Sequence, residues 1–222
     1  MEDRPTASVA RIRPGVFFTP PAALPRGRHG LARDAVRAAQ RERLLIAATE
    51  LLAASGYAAL TTREVCRRGE VSLSVFYECF ASKEDCVFAA YDRFIEVLVQ
   101  RLVAITDDDE AWAEYIWDLV HEYLEVLRAD PVVARAFQVE MDALGPEARR
   151  RRRDALTALA HLARSTFEER SPGRMDDLPI EAYLVVVYGI RQIASDAIDS
   201  GDSALATVRL ERMPWLASFM GA

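Results

Sequence analysis

Cysteine is scarce: Cys66, Cys79 and Cys86 are the only three in 222 residues. Their number is odd and their spacing is not that of zinc ligands, which excludes a disulfide framework and fits a reducing compartment. Long apolar runs are missing too. Nothing approaches the ~20 residues that would cross a bilayer, so no membrane partner is expected. The opening MEDRPTASVARIRPG holds no apolar stretch of signal-peptide length, and a cytoplasmic protein is expected. There is no Gly-x-Ser-x-Gly, no phosphate-cradling glycine loop and no His-Glu-x-x-His, so the common signatures of an enzyme are lacking and no cofactor is expected. His121 and His161 have Asp118 and Glu122 close by but no third ligand at a fixed spacing, so no metal site is expected.

Apolar residues, by contrast, are plentiful: 51% of the chain is hydrophobic and 28% charged. That suffices for one large or two small domains with a real core. The net charge of −6 conceals an asymmetry. Thirteen Lys and Arg face ten Asp and Glu up to Cys86, giving +3, and the remainder carries −9. A basic first third on an acidic body suits a polyanion-facing module, although chance patchiness would give as much.

Pattern reading gives an all-α chain. Residues 1–34 hold five prolines and three glycines and are expected to form an extended arm. Leu44, Leu45, Ala48, Leu51 and Leu52 mark a helix from about Arg33 to Ser55, closed by Gly56. A short helix from Thr61 or Thr62 to Arg68 and another from Leu73 to Phe80, capped by Ser72, follow. Ser82 caps a fourth helix running past Leu102. Further helices are expected over about Glu110–Arg128, Pro131–Met141 (capped by Asp130), Pro146–Arg170, Pro179–Ser200 and 203–219, the last broken at Pro214. The boundaries give an arm over 1–34, a small helical unit over 35–86 and a larger helical body over 87–222.

Two short helices joined by a tight turn behind a longer one describe a helix-turn-helix. In that geometry Val71 and Phe76 point into a small core with Val65 and Leu52. Ser72, Leu73, Ser74, Tyr77 and Glu78 are left outside.

The stretch LLIAATELLAASGYAALTTREVCRRGEVSLSVFYECFASKEDCV resembles the N-terminal domain of TetR-type transcriptional regulators. Gly56-Tyr57, Thr61-Thr62, Val71-Ser72, Phe76-Tyr77-x-x-Phe80 and Ser82-Lys83-Glu84, in that order, carry the resemblance. It implies that Thr62 and Arg63 touch backbone or groove and that Leu73, Ser74 and Val75 meet base edges, with Ser72 also among the DNA-binding residues. Tyr77 and Lys83 would hold phosphates. Three departures stand out: Glu70 where the family has its turn glycine, Cys79 for a common histidine, and Glu78 beside the expected phosphates. Glu70 would then need a left-handed backbone at roughly 1 kcal/mol. Leu73 and Val75 cannot make bidentate base contacts but suit thymine methyls. Arg26 and Arg28 of the arm would supplement them in a minor groove, unless the arm only solubilises.

The resemblance further implies a double-stranded operator, a small-molecule effector and a homodimer through the last two helices. Ala182–Ile190, apolar all round, needs cover on several sides, which a partner subunit or an ordinary core would supply. Candidate effector-pocket residues are Trp112, Trp117, His121, Tyr123, Phe137, Met141, Tyr183, Tyr188 and Arg191. Aromatics line cavities but equally fill cores, and Arg191 suits an acidic ligand or an interface ion pair. Arg149–Arg153 circles its helix and is expected to be an exposed helix end. The reading is a DNA-binding repressor released by a hydrophobic or aromatic effector. The alternative is a dimeric ligand-binding or scaffold protein of the same fold with weak or no DNA binding.

Overall fold

The structure is a computed structural model that describes residues 9–22, 33–105, 112–170, 178–201 and 205. Among these it is all-helical. The elements are α1 (Arg33–Ala59), α2 (Thr62–Gly69), α3 (Leu73–Cys79), α4 (Lys83–Val103), α5 (Trp112–Ala129), α6 (Pro131–Gln138), a 3-10 turn (Glu140–Leu144), α7 (Pro146–Arg170) and α8 (Ile180–Ser200). Leu205 is helical and buried; the rest of the expected last helix lies outside the described residues. No described helix is long and apolar enough to cross a membrane.

The caps explain where elements start. Thr61, Ser72 and Ser82 each accept a hydrogen bond from the amide three residues on, at Glu64, Val75 and Asp85. Asp130 accepts from Val132 and Val133 ahead of Pro131. Gly56 departs from helical geometry at φ 70, ψ 172, so the chain kinks there inside α1, as a backbone region open essentially only to glycine requires. The sixth helix ends at Gln138, not at Met141. The chain tightens into the 3-10 turn, which buries Met141 and leaves Asp142 on the surface.

One continuous apolar core runs from α1–α4 into α5–α8. α1 packs on α2, α3 and α4, and also on α6 and the 3-10 turn, so the small N-terminal unit and the larger body share a wall. α4 belongs to both. Cys86 and Val87 are buried at its start, Cys86 Sγ 3.7 Å from the Leu44 carbonyl, and Leu98 and Leu102 are buried at its end.

The expectation of an extended arm is corrected over residues 9–22. This segment is a strap folded onto the body, with Ile12, Phe17 and Phe18 buried and Phe17 5.3 Å from the Phe94 ring of α4. Two buried carboxylates hold consecutive strap amides. Ile12 N–H donates to Glu50 of α1 at 3.0 Å, and Arg13 N–H donates to Asp130 at 2.8 Å. Glu50 also pairs with Arg68 of α2. Proline and glycine content excluded a helix correctly, but three bulky apolar side chains were enough to anchor a non-helical chain. Arg26 and Arg28 lie outside the described residues.

Candidate nucleic-acid interface and cavity

α3 is seven residues long and rests on one anchor. Phe76 is fully buried, edge-on to Tyr77 at 5.5 Å and 5.8 Å from Phe80, which caps the helix from the core side. The opposite side is left to solvent. Ser72, Ser74 and Glu78 are exposed, Leu73 is 42% exposed and Tyr77 57%. Residues 73, 74 and 77 share a face by helical spacing, so leucine, serine and tyrosine form one surface. Val75, expected among them, is half-buried. Arg63 is exposed at the start of α2 and Thr62 is half-buried.

The turn between α2 and α3 accounts for the displaced glycine. Glu70 does take the left-handed conformation, φ 53 and ψ 41, and its amide closes the end of α2 onto the Arg67 and Cys66 carbonyls. Gly69 serves a different need. A Cβ there would stand 3.2 Å from the Arg43 carbonyl oxygen of α1, so glycine lets α2 lie close against α1.

Lys83, the chain's only lysine, is not free to reach outward as expected. Its ammonium donates to the Leu60 carbonyl at 3.0 Å and sits 4.2 Å from the Tyr57 ring centroid. Tyr57 in turn hydrogen-bonds Glu84. Lys83 therefore ties the start of α4 to the chain between α1 and α2. Cations that pattern reading passed over stand nearby. Arg37 donates to the Glu78 carbonyl at the end of α3, and the Arg41 guanidinium lies 5.2 Å from the Phe80 ring. Their signal was present: arginines one helical turn apart on the less apolar face of α1.

The larger half holds a half-open apolar cavity of about 110 Å³. Leu102 of α4, Tyr115, Ile116, Leu119, Val120 and Tyr123 of α5, Leu156, Leu159, Leu162, Ala163 and Thr166 of α7, and Val186, Val187, Ile190 and Arg191 of α8 line it. A smaller one adjoins it, sharing Tyr123, Leu156, Leu159 and Arg191 and adding Phe137, Gln138 and Arg152. Of the pocket residues expected from sequence, Tyr123 and Arg191 line the main cavity and Phe137 the adjoining one. Trp112 packs edge-on against Phe167 at 5.0 Å, and Met141 and Tyr183 are core. Trp117 is half-buried, while His121 and Tyr188 face solvent. A 3.6-residue period explains the selection. Of α5 only the stripe 115, 116, 119, 120 and 123 faces this cavity, and most of the whole lining is aliphatic.

The junction of the two cavities is polar. The Arg191 side chain donates to the Gln138 carbonyl, which Ser195 also reaches at 2.9 Å. Arg152 contacts Asp142, and Arg191 stands 3.9 Å from the same carboxylate. Burial and the neighbouring Arg152 charge pull the Arg191 guanidinium below its ordinary range. Burial pushes the Tyr123 phenol up. The Gln138 side chain is the polar neighbour of that phenol, but no hydrogen bond of ordinary geometry satisfies Tyr123 Oη or Gln138 Oε1 among the described residues. The arginine run is thus corrected at one position. Arg150 and Arg151 pair on the surface with Glu147, Asp154 and Asp92, but Arg152 turns inward. No described group of three or more His, Cys, Asp and Glu residues is placed to hold a metal ion.

Residues 44–90 match the family described as "Bacterial regulatory proteins, tetR family". The chain shares the fold of solved TetR-family and AcrR-family regulators. The likeness extends beyond residues 44–90, because solved transcriptional regulators superpose on most of the chain. The fatty acid degradation regulator FadR of Bacillus halodurans aligns at 19% identity and TM-score 0.64, covering 82% of this chain and 95% of its own. FadR of Bacillus subtilis, solved in complex with stearoyl-CoA, aligns at 17% identity and TM-score 0.62, covering 81% and 97%. A TerR/AcrR-family regulator of Aquifex aeolicus aligns at 19% and 0.56, covering 82% and 95%. No curated protein matches the chain. The matching family is one of regulators, not enzymes, and the TetR-type match falls on α1 to α4, where the exposed Leu73–Ser74–Tyr77 face lies.

Proposed function

We propose that the protein is a transcriptional regulator that binds duplex DNA through α3 and leaves it when a small molecule occupies the cavity of the larger half. The observation that carries this is the polar and apolar face of α3, Leu73, Ser74 and Tyr77, exposed on a helix whose other side is locked by Phe76. Leu73 suits thymine methyls and Ser74 either base edge. Arg63 at one side and Arg37 and Arg41 at the other supply phosphate contacts around them. Such a protein works in the cytoplasm, where the DNA is.

A partner subunit is part of this reading. Along α8, Val185 is 65% exposed, and Tyr188 and Ile193 are exposed beside Gly189, where a Cβ would meet nothing within 4 Å. An apolar helix face of this kind supports an isologous contact, which matches paired half-sites on DNA. The cavity supports the effector half of the reading: α4 contributes Leu102 to its wall and begins three residues after Phe80, so one rigid helix spans from cavity to recognition helix.

Fluorescence anisotropy with the duplex upstream of the coding region tests the reading. Binding should weaken steeply as salt rises, because phosphate contacts release counterions. Tyr77→Ala should lower affinity with the salt slope kept, and Arg37→Ala should lower both affinity and the salt slope. No binding at low ionic strength would leave a scaffold of this fold, a reading that the exposed carboxylates of Glu70 and Glu78 would then explain.

A further inference from the structure

The polar junction between the two cavities holds three features that core packing does not require. The first is a surplus of charge: Arg152 and Arg191 share one carboxylate, Asp142, which is itself half-exposed. The second is a buried polar pair, Tyr123 Oη beside the Gln138 side chain, which meet without a hydrogen bond of ordinary geometry and find no other partner among the described residues. The third is that the rest of the wall is aliphatic or aromatic apart from Thr166, whose hydroxyl is spent on the Leu162 carbonyl, so the cations and the phenol stand out in an otherwise apolar space. We propose that this cavity takes a small organic acid, with its carboxylate against Arg191 and the Tyr123 hydroxyl and its apolar body between α5, α7 and α8.

The chemistry follows from the groups. A guanidinium presents a planar fork that matches a carboxylate, and a phenol donates a further hydrogen bond to the same oxygens. The inference rests on reading this half as the effector domain and narrows the ligand by size. A cavity of about 110 Å³ is of the order of the ~150 Å³ engineered void that holds benzene. One ring or a short alkyl chain fills that volume; a long acyl thioester exceeds it.

Binding would also have a route to α3. An incoming carboxylate competes with Asp142 for the arginines. Asp142 belongs to the 3-10 turn that packs on α1, and the neighbouring Glu140 carboxylate lies 3.1 Å from where a Cβ on Gly56 would stand. Drawing Arg191 towards the ligand loosens the contact that holds this turn in place.

The test is calorimetry on the full chain with benzoate and butyrate, beside their neutral amides benzamide and butyramide, and stearoyl-CoA as a large ligand. The acids should bind at least about tenfold tighter than the amides. Arg191→Gln should remove that preference, Arg191→Lys should keep part of it, and Asp142→Asn should tighten the acids severalfold. The acid-to-amide ratio is measured on the unaltered chain, so it stands whether or not the Arg191 variants fold. Equal binding of acid and amide overturns the carboxylate assignment; stearoyl-CoA binding while both acids fail overturns the size argument. Absence of any binding at millimolar ligand overturns the site. DNA affinity measured without ligand is unaffected by each of these results, so the regulator reading fails or stands separately.

Discussion

Replacing Glu50 by alanine should destabilise the protein by about 3 kcal/mol, although the residue lies neither on the exposed face of α3 nor in the cavity. Glu50 is 5% exposed and accepts from two elements at once, the Arg68 guanidinium of α2 and the Ile12 amide of the strap. Its loss leaves the Ile12 N–H without its acceptor, at about 1–3 kcal/mol. It also leaves Arg68 half-paired. Removing one partner of a fully buried ion pair costs about 3–5 kcal/mol. Here the figure is smaller, because the Arg68 side chain keeps 20% of its exposure and contacts to the Val9 and Ala10 carbonyls at 3.4 and 3.5 Å. Glu50→Gln keeps an acceptor for Ile12 and should lose roughly half as much. Urea denaturation of both variants, with Arg68→Met and the double variant closing a cycle, measures the pair; a coupling of about 1–2 kcal/mol is expected. Proteolysis within residues 9–22 should speed up in Glu50→Ala before the helices are cut. A loss under about 1 kcal/mol with no coupling and no faster cleavage would refute the strap as a structural tie.

Glu70→Gly should leave stability unchanged or raise it by up to about 1 kcal/mol, since glycine removes the left-handed strain at φ 53 while adding unfolded-state freedom; Glu70→Val should lower it. The same glycine variant should bind DNA more tightly at low salt, which anisotropy would read. Gly56→Ala should cost about 1–3 kcal/mol in urea, because alanine must adopt φ 70, ψ 172 and its Cβ would press within 3.1 Å of the Glu140 carboxylate. Cys86 should resist iodoacetamide in the native state across the neutral to mildly alkaline range, because burial pushes its thiol well up, whereas half-buried Cys79 should label first. Labelling of Cys86 at the rate of Cys79, followed by peptide mass mapping, would contradict that burial.

Short-range signals gave the helices. Capping residues at 61, 72, 82 and 130, the proline after Asp130 and the 3.6-residue stripes were all in the sequence, because each acts within one or two turns. The left-handed Glu70 was legible through the resemblance alone, because it stands where the family has its turn glycine. Only the fold could decide what depended on distant neighbours. Three apolar side chains in a proline-rich segment found a groove between α1, α4 and Asp130, and an expected arm became a strap. Lys83 found the Leu60 carbonyl and Arg152 found Asp142. Which aromatics face the cavity was set by the rotation of α5 and α8 against α7. A sequence fixes which residues share a helix face, but the direction that face points comes from packing against elements far away in the chain.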